Sequence, residues 1–354
     1  MSRRGWMMVL TAIGAVCLLL AVAVPMLRSG STGNGNPAAS PSARGASEPN
    51  ETPTPNPHVL EVVDDGAAPV PTAAGLARAL KVPLASPALG PRVSAVVADV
   101  SSGQDLYATA GASIVPASTS KIVTAVAALR LVGPDTRLRT SVVAGPTPDS
   151  IVLVGGGDPT LAGPEHFRPL GRSPKLPRTD YPTFPRLSDL AAATAARLKA
   201  AGTTTVRLSV DASLFSGPTL GPGWSPGYVA AGDVAPVTAL SVDGGRVSRS
   251  SRERSADPVA AAADAFAGLL RHSGVQVSGP YPPAKAAPDA DVLAAVESAP
   301  VADLVEQMLV DSDNDLAEAL ARHAALRSGK PGSFAGAADA LRAAAAELGV
   351  TADG

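Results

Sequence analysis

The chain opens on an apolar run of the length that crosses a lipid bilayer. Trp6–Leu27 is a stretch of 22 residues without a charge, preceded by two arginines. About 20 apolar residues span a bilayer as a helix, whereas the apolar part of a signal peptide needs about 7–15. We therefore expect residues 1–28 to be a membrane anchor or signal segment, with an uncleaved anchor favoured over cleavage after Ala21-Val22-Ala23. Because the arginines hold the amino end in the cytoplasm, the remainder is expected to be exported to the cell envelope.

The next segment, residues 29–57, consists mainly of Gly, Ser, Pro, Asn and Ala, with few large apolar side chains. Such a stretch cannot bury enough apolar surface to offset the entropy of ordering the chain. We expect it to be a disordered linker that holds the globular part away from the membrane. If the first segment is cleaved instead, the globular part is secreted.

The composition of the chain narrows the classes of function. The 354 residues are 45% hydrophobic and 17% charged, which allows a large core and predicts two or three domains. The 29 Lys and Arg residues are balanced by 31 Asp and Glu residues, so no basic field indicates binding to nucleic acid. One Cys and four scattered His residues argue against a disulfide framework and a metal centre. We therefore expect no metal centre.

Strand and helix patterns are mixed along the globular part. Alternating or β-rich runs predict strands over residues 93–100, 106–108, 141–144, 151–154 and 205–211, and a hairpin around Asp243-Gly244-Gly245. Apolar spacing predicts helices over residues 122–131, 189–201, 258–270, 301–310, 315–327 and 333–348. The helices cluster toward the carboxyl end, which favours an α/β or α+β organisation.

Ser118 and Lys121 form the first candidate site. They stand three residues apart at the start of an apolar helix, so they share one helical face. An uncharged lysine beside a serine could accept the hydroxyl proton, which is how a serine nucleophile works without histidine. The alternative is an N-cap serine with a nearby surface lysine, and Ser-x-x-Lys alone is a weak signal.

Ser312 and Asn314 form the second candidate site, in a polar loop between two predicted apolar helices. Such a loop could project a hydroxyl and an amide into a cleft, where Ser312 relays a proton and Asn314 hydrogen-bonds a peptide. The alternative is an ordinary N-cap at Asp313 or Asn314. None of the four His residues lies in either motif, so we predict that Lys121, and not a histidine such as His323, activates Ser118.

Together, Ser-x-x-Lys and Ser-Asp-Asn are typical of penicillin-binding proteins and class A β-lactamases. The chain most resembles the low-molecular-mass class C penicillin-binding proteins, the D-alanyl-D-alanine carboxypeptidase/endopeptidases of peptidase family S13. The resemblance runs from about Leu80 to the end. It rests on four segments in order, Pro116–Leu129, Leu153–Leu161, Asp211–Trp224 and Leu309–Leu320.

The resemblance implies a role for each candidate residue. Ser118 would be the acyl-accepting nucleophile and Lys121 its general base. Ser312 would pass the proton toward the leaving D-alanine, and Asn314 would bind the substrate peptide. The run from Gly155 to Thr160 matches a family sequence outside the acylation machinery, and we interpret it as a structural glycine turn.

The resemblance also implies a fold, a penicillin-binding-protein or β-lactamase-like domain of α/β (α+β) class whose sheet is flanked by helices. Because the two motifs lie 194 residues apart, we expect an inserted, mostly β domain between them. The expected divisions are residues 58–144 for the first part of the catalytic domain, 145–295 for the insertion and 296–354 for the second part.

One departure from the family pattern concerns its third motif, Lys-Thr-Gly on the strand that lines the active site. The sequence contains no Lys-Thr-Gly, and Lys330-Pro331-Gly332 lies too near Ser312 to replace it. We expect the second catalytic part to be incomplete without that strand. Residues 58–354 alone should then turn over no D-Ala-D-Ala peptide and bind penicillin poorly, because a donor to the oxyanion would be missing.

The expected function is that of an exported serine D-Ala-D-Ala carboxypeptidase, which by its resemblance to the family needs no metal and no organic cofactor. Its partners would be peptidoglycan stem peptides ending in D-Ala-D-Ala, β-lactam antibiotics and, through residues 6–27, the membrane. The alternative is a membrane-tethered wall-binding or scaffold protein that keeps the fold without the catalysis. A β-lactamase is disfavoured, because its two motifs lie much closer together.

Overall fold

The computed structural model of the protein describes residues 70–99, 102–109, 116–164, 184–248 and 251–350. The expected membrane or signal segment at residues 1–28 and the linker at residues 29–57 lie outside the described residues. Among the helices that are described, none combines the length and the apolar character that a membrane span requires. Residues from Thr72 onward form one compact unit.

The described strands form a two-stranded hairpin and a five-stranded sheet. In chain order the strands are β1 Val96–Ala98, β2 Asp105–Ala108, β3 Arg137–Ala144, β4 Ser150–Val154, β5 Thr205–Asp211, β6 Gln276–Ser278 and β7 Val292–Pro300. The described α-helices are α1 Ala73–Leu84, α2 Lys121–Ala127, α3 Leu187–Ala200, α4 Pro226–Ala231, α5 Pro258–His272, α6 Val301–Asp311, α7 Asn314–Arg327 and α8 Phe334–Ala346.

The five-stranded sheet has the strand order β6-β5-β4-β3-β7. Strand β3 pairs antiparallel with β4 on one side and with β7 on the other. The β4–β5 and β5–β6 pairs are parallel. Helix α3 lies between β4 and β5 in the chain, and helix α5 lies between β5 and β6. Parallel pairs need such crossover connections, since a short turn can only reverse the chain.

Helices α3 and α5 cover the sheet, and their apolar faces fill the first of three hydrophobic clusters. Leu190 of α3 and Phe266 of α5 are completely buried there, together with Ile151 and Leu153 of β4 and Leu208 of β5. These residues alternate along the strands and recur at helical spacing along the helices. The layered α/β organisation therefore follows from the apolar pattern of the sequence.

The second hydrophobic cluster joins the helices that carry the candidate motifs. Ala128 follows α2 in a π-helical turn, Ala128–Val132, and packs with Leu304 and Met308 of α6, Leu320 of α7 and Ala340 of α8. Small alanines at these positions allow the helices to approach closely. Packing within this cluster brings the start of α2 next to the junction between α6 and α7.

The expectation of a mostly β insertion is corrected by the structure. Described residues between 145 and 295 include the helices α3, α4 and α5, which together hold more residues than the strands of that segment. Parallel strands require these helices as connections. The divisions at residues 144 and 295 remain predictions, and β3 and β7, which flank the segment, pair with each other in the same sheet.

Candidate active site

Ser118 begins a short helical turn, Ser118–Ser120, that leads directly into α2. The side chain of Ser118 is exposed, whereas Lys121, one turn later, is buried with 7% of its surface accessible. The Lys121 Nζ atom lies 3.4 Å from Ser118 Oγ, in position to donate a hydrogen bond. The structure thus places an accessible hydroxyl beside an amine that is largely shielded from water.

The junction between α6 and α7 brings a second hydroxyl to the same point. Helix α6 ends at Asp311, and its C-cap residue Ser312 adopts the left-handed conformation with φ 52°. Asp313 then caps α7 by accepting a hydrogen bond from Leu316 N. The Ser312 Oγ atom donates to Ser118 Oγ over 2.8 Å. Ser118 Oγ therefore contacts both Lys121 and Ser312, although Ser312 lies 194 residues further along the chain.

Asn314 is held between Lys121 and a backbone carbonyl. Its Oδ1 atom accepts a hydrogen bond of 2.6 Å from Lys121 Nζ, and its Nδ2 atom donates over 2.8 Å to the carbonyl oxygen of Asp233. The structure thus brings all four residues singled out from the sequence, Ser118, Lys121, Ser312 and Asn314, into one hydrogen-bonded group. Their individual roles remain predictions.

The electrostatic surroundings of Lys121 favour its uncharged form. The pKa of the Lys121 ammonium lies below its usual value because the side chain is buried. The nearby carboxylate of Asp313 acts in the opposite direction and has the smaller effect. Removal of water disfavours a charged amine because little solvation remains for the charge. A larger share of neutral Lys121 is what a group that takes a proton from Ser118 requires.

The turn from Gly155 to Thr160 packs between the sheet and the helical cluster. A Cβ atom on Gly155 would lie 2.4 Å from the carbonyl oxygen of Ala239, and one on Gly156 would lie 2.2 Å from that of Arg139. Glycine is required there because two backbones approach too closely for any side chain. These contacts favour the structural interpretation of this turn.

His323 packs against the Gly155–Thr160 turn and is not part of the hydrogen-bonded group formed by Ser118, Lys121, Ser312 and Asn314. Its Nε2 atom lies 3.2 Å from the carbonyl oxygen of Gly157, and its ring meets Phe215 edge to face. Burial lowers the pKa of His323 to about 4, so the ring is neutral at physiological pH. Across the described residues, no group of three or more His, Cys, Asp or Glu side chains is arranged to hold a metal ion.

Three residues around the site were not singled out from the sequence. Asp233 contributes its backbone carbonyl, and Asp315 follows the Ser-Asp-Asn motif directly. Arg254, which pairs with Asp315, lies 61 residues before it in the chain. Every residue has a backbone carbonyl, so the sequence could not indicate that Asp233 contributes one to the site. The charged side chain of Asp315 at the first turn of an apolar helix was the one available signal.

Comparison with known proteins relates the chain to a family of carboxypeptidases. The sequence profile of the family described as D-Ala-D-Ala carboxypeptidase 3 (S13) matches residues 76–256 and 248–354. Carboxypeptidase DacB of Mycolicibacterium smegmatis is 36% identical over 348 residues, which cover 97% of this chain and 70% of that protein. Carboxypeptidase Rv3627c of Mycobacterium tuberculosis is 37% identical over 303 residues, covering 84% of this chain and 61% of that protein.

A solved structure supports the fold. Penicillin binding protein 4 (dacB) from Haemophilus influenzae superposes with a TM-score of 0.56 and 19% identity over 73% of this chain and 69% of that one. The expected penicillin-binding-protein fold, with a sheet flanked by helices, is therefore confirmed, as is the expected enzyme class of a D-Ala-D-Ala carboxypeptidase. With the sequence profile matching most of its length, the chain belongs to the D-Ala-D-Ala carboxypeptidase 3 (S13) family.

Proposed function

We propose that the protein is a serine-type carboxypeptidase that removes the terminal D-alanine from peptidoglycan stem peptides through an acyl-enzyme on Ser118. The observation that carries this proposal is the pair of contacts made by Ser118 Oγ, 3.4 Å from Lys121 Nζ and 2.8 Å from Ser312 Oγ. Two potential proton carriers thus flank one exposed hydroxyl, which is the arrangement that an activated nucleophile needs.

In the proposed acylation step, neutral Lys121 takes the proton of Ser118 while Oγ attacks the carbonyl carbon of the D-Ala-D-Ala bond. Ser312 donates its proton to the nitrogen of the departing D-alanine and regains one from Lys121. Water then attacks the carbonyl carbon of the acyl-enzyme ester while neutral Lys121 takes its proton. The bond from that carbon to Ser118 Oγ breaks, and Lys121 returns the proton to Oγ. Asn314 hydrogen-bonds the peptide backbone of the substrate.

The same nucleophile would open a β-lactam ring, whose amide carbon takes the place of the scissile carbonyl. Cleavage of cross-links between stem peptides, an endopeptidase activity, uses the same chemistry on a D-Ala bond to a neighbouring peptide. Both belong to this proposal, because each requires only that Ser118 attack a carbonyl next to a D-configured residue.

We further propose that the enzyme works outside the cytoplasm, with Trp6–Leu27 as its membrane tether or as a cleaved signal. Peptidoglycan lies outside the cytoplasmic membrane, so a chain that acts on stem peptides must be exported. The alternative of a non-catalytic scaffold predicts the same location but no covalent chemistry at Ser118.

The proposal is tested by acylation with a fluorescent penicillin in the protein expressed from its complete gene. The unchanged protein should be labelled on Ser118, as identified by peptide mass spectrometry. Lys121→Ala should abolish labelling because the base is lost, whereas His323→Ala should retain it per folded molecule. Absence of labelling in the unchanged protein would favour the scaffold alternative, and equal loss in both variants would overturn the assignment of Lys121.

A further inference from the structure

The side-chain amide of Asn314 has two possible orientations, and only one of them serves Lys121. To take the Ser118 proton, Lys121 must keep its nitrogen lone pair free, so it can only donate to Asn314 and requires the Oδ1 end of the amide. The carbonyl oxygen of Asp233 can only accept, so it requires the Nδ2 end. With Asp233 in place, both requirements are met at 2.6 Å and 2.8 Å. The position of one backbone carbonyl therefore decides which atom Asn314 presents to Lys121.

The Asp233 carbonyl belongs to the short segment Gly232–Ala235, whose two ends are hydrogen-bonded to charged side chains. The Asp315 Oδ1 atom accepts a hydrogen bond of 2.7 Å from Ala235 N at one end of the segment. At the other end, Arg254 Nη2 donates over 3.2 Å to the carbonyl oxygen of Gly232. Gly232 itself has φ 75°, and a Cβ atom there would lie 2.0 Å from the carbonyl oxygen of Arg252, so the backbone is closely packed.

The two side chains are also linked to each other and to the surrounding structure. The Arg254 Nη2 and Asp315 Oδ2 atoms lie 3.6 Å apart, and both side chains are more than nine-tenths buried. The Arg254 Nη1 atom donates to the carbonyl oxygen of Gly244, which fixes the guanidinium against the next loop. Burial raises the pKa of the Asp315 carboxyl, the Asp313 carboxylate adds to the rise, and Arg254 opposes it.

A buried ion pair is weak evidence for stability, because removing both charges from water costs about as much as their attraction returns. Its geometry here has a different consequence. Asp315 is the residue directly after Asn314 on α7, so one end of the pair is rigidly tied to the active-site helix. The other end, Arg254, holds the carbonyl of Gly232, the residue directly before Asp233, whose own carbonyl orients Asn314.

We propose that Arg254 and Asp315 are positioning residues for Asn314: they hold segment Gly232–Ala235 so that the Asp233 carbonyl keeps the Asn314 amide oxygen directed at Lys121. This inference rests on the proposed acylation of Ser118. It adds two residues that act through Asn314 and whose own hydrogen bonds are made to segment Gly232–Ala235 and to Gly244.

The test is a double-mutant cycle on the rate of Ser118 acylation by a fluorescent penicillin, using the protein expressed from its complete gene. The variants are Arg254→Gln, Asn314→Ala and the double variant. Each single change should slow acylation by about tenfold or more, since misplaced groups lose much of their catalytic effect. The double variant should be little slower than Asn314→Ala, because residues that act through one another are not additive.

Arg252→Gln is the matched control. Arg252 is a neighbouring, exposed arginine that pairs with the Asp233 side chain at 3.1 Å and does not hold the carbonyl. Its loss should leave the acylation rate unchanged. Hydrogen exchange of the peptide that contains Gly232–Ala235 should speed up in Arg254→Gln and stay slow in Arg252→Gln.

A second pair of variants keeps the test decisive if Arg254→Gln folds poorly. Asp315→Asn retains an oxygen that can accept from Ala235 N, whereas Asp315→Ala does not, so the Asn variant should acylate faster per folded molecule. Equal rates in these two variants, or independent effects of Arg254→Gln and Asn314→Ala, would overturn the inference while acylation of the unchanged protein upheld the proposed function. If the unchanged protein is not acylated, the proposed function fails and this inference fails with it.

Discussion

Burial shifts the titration of two single residues, Asp158 and His323, in opposite directions at the Gly155–Thr160 turn. The pKa of Asp158 is raised to about 6 by burial, against hydrogen bonds from the Thr160 hydroxyl and amide that lower it. The pKa of His323 is lowered to about 4, again by burial. Because each shift exists only in the folded protein, each makes the free energy of unfolding depend on pH.

For His323, the unfolded chain binds the proton more tightly than the folded protein, with an ordinary pKa of 6.5 against about 4. The contribution of His323 to the free energy of unfolding should therefore rise by about 3 kcal/mol as pH increases from about 4 to 6.5. In His323→Gln this rise should disappear. Urea denaturation at several pH values between 4 and 7 measures it, and parallel pH profiles for the two proteins would contradict the prediction.

For Asp158 the sign is reversed, since the folded protein binds the proton more tightly, with a pKa of about 6 against the ordinary 3.8. Its contribution to the free energy of unfolding should fall by about 3 kcal/mol as pH rises from about 4 to 6. Asp158→Asn keeps an oxygen for the Thr160 amide and removes the titration. The same denaturation series should show this variant gaining stability relative to the unchanged protein as pH rises; no relative gain would refute the assignment.

At the scale of secondary-structure elements, one residue at the junction between α6 and α7, Asp313, has two roles. Asp313 caps α7 through its contact with Leu316 N, and its negative charge raises the pKa of Lys121. The two effects are separable, because Asn caps a helix about as well as Asp but carries no charge.

We expect Asp313→Asn to keep the free energy of unfolding and to lower the pKa of Lys121 further, because only burial then acts on it. The acid limb of the acylation rate against pH should move to lower pH. Asp313→Ala should shift that limb in the same direction and also lose about 1 kcal/mol of stability with the cap. An unmoved limb in both variants would show that the charge of Asp313 does not reach Lys121.

Most elements of the fold could be predicted from local pattern, whereas α1, α4, β6 and β7 were missed. The expected helices near residues 301, 315 and 333 agree with α6, α7 and α8 to within about two residues, as is usual for helix ends. Strand β7 was missed because Val292–Pro300 is rich in alanine and poor in β-branched residues, so only its pairing with β3 makes it a strand.

The hairpin expected around Asp243-Gly244-Gly245 is absent from the described residues there. Instead, Asp243–Gly245 is a helical turn with positive φ at all three residues. Its backbone amides donate to the carbonyls of Leu161 and Pro159, so the turn is held by another loop and not by flanking strands.

At the scale of the whole molecule, one buried arginine joins separate parts of the chain. Arg322 of α7 is 1% exposed, pairs with Glu318 at 2.7 Å, and donates to the carbonyl oxygens of Ser216, Pro218 and Gly332. It thus connects the active-site helix to the loop after β5 and to the loop before α8. The contacts of Arg322 can therefore fix the position of α7 relative to these two loops.

We expect Arg322→Met to lower the free energy of unfolding by about 3–5 kcal/mol, because it leaves Glu318 charged and buried without its partner. Arg342→Met is the matched control, since the Arg342–Asp339 pair on α8 is more than half exposed. That change should stay within about 0.5 kcal/mol. Urea denaturation at pH 7 compares them, and similar losses in the two variants would contradict the role assigned to Arg322.

The sequence by itself determined the membership of the family, most helices, and the pairing of Ser118 with Lys121. Residues three apart in a helical turn must be neighbours, so that contact needs no other part of the chain. Only the tertiary structure decided that Ser312 reaches Ser118 across 194 residues, and that Asn314 is oriented by the Asp233 carbonyl. These contacts depend on how α2 packs against α6 and α7 and on the position of a backbone group. Neither is recorded in the type of any single residue, because every residue carries the same carbonyl and packing depends on all the surfaces that meet.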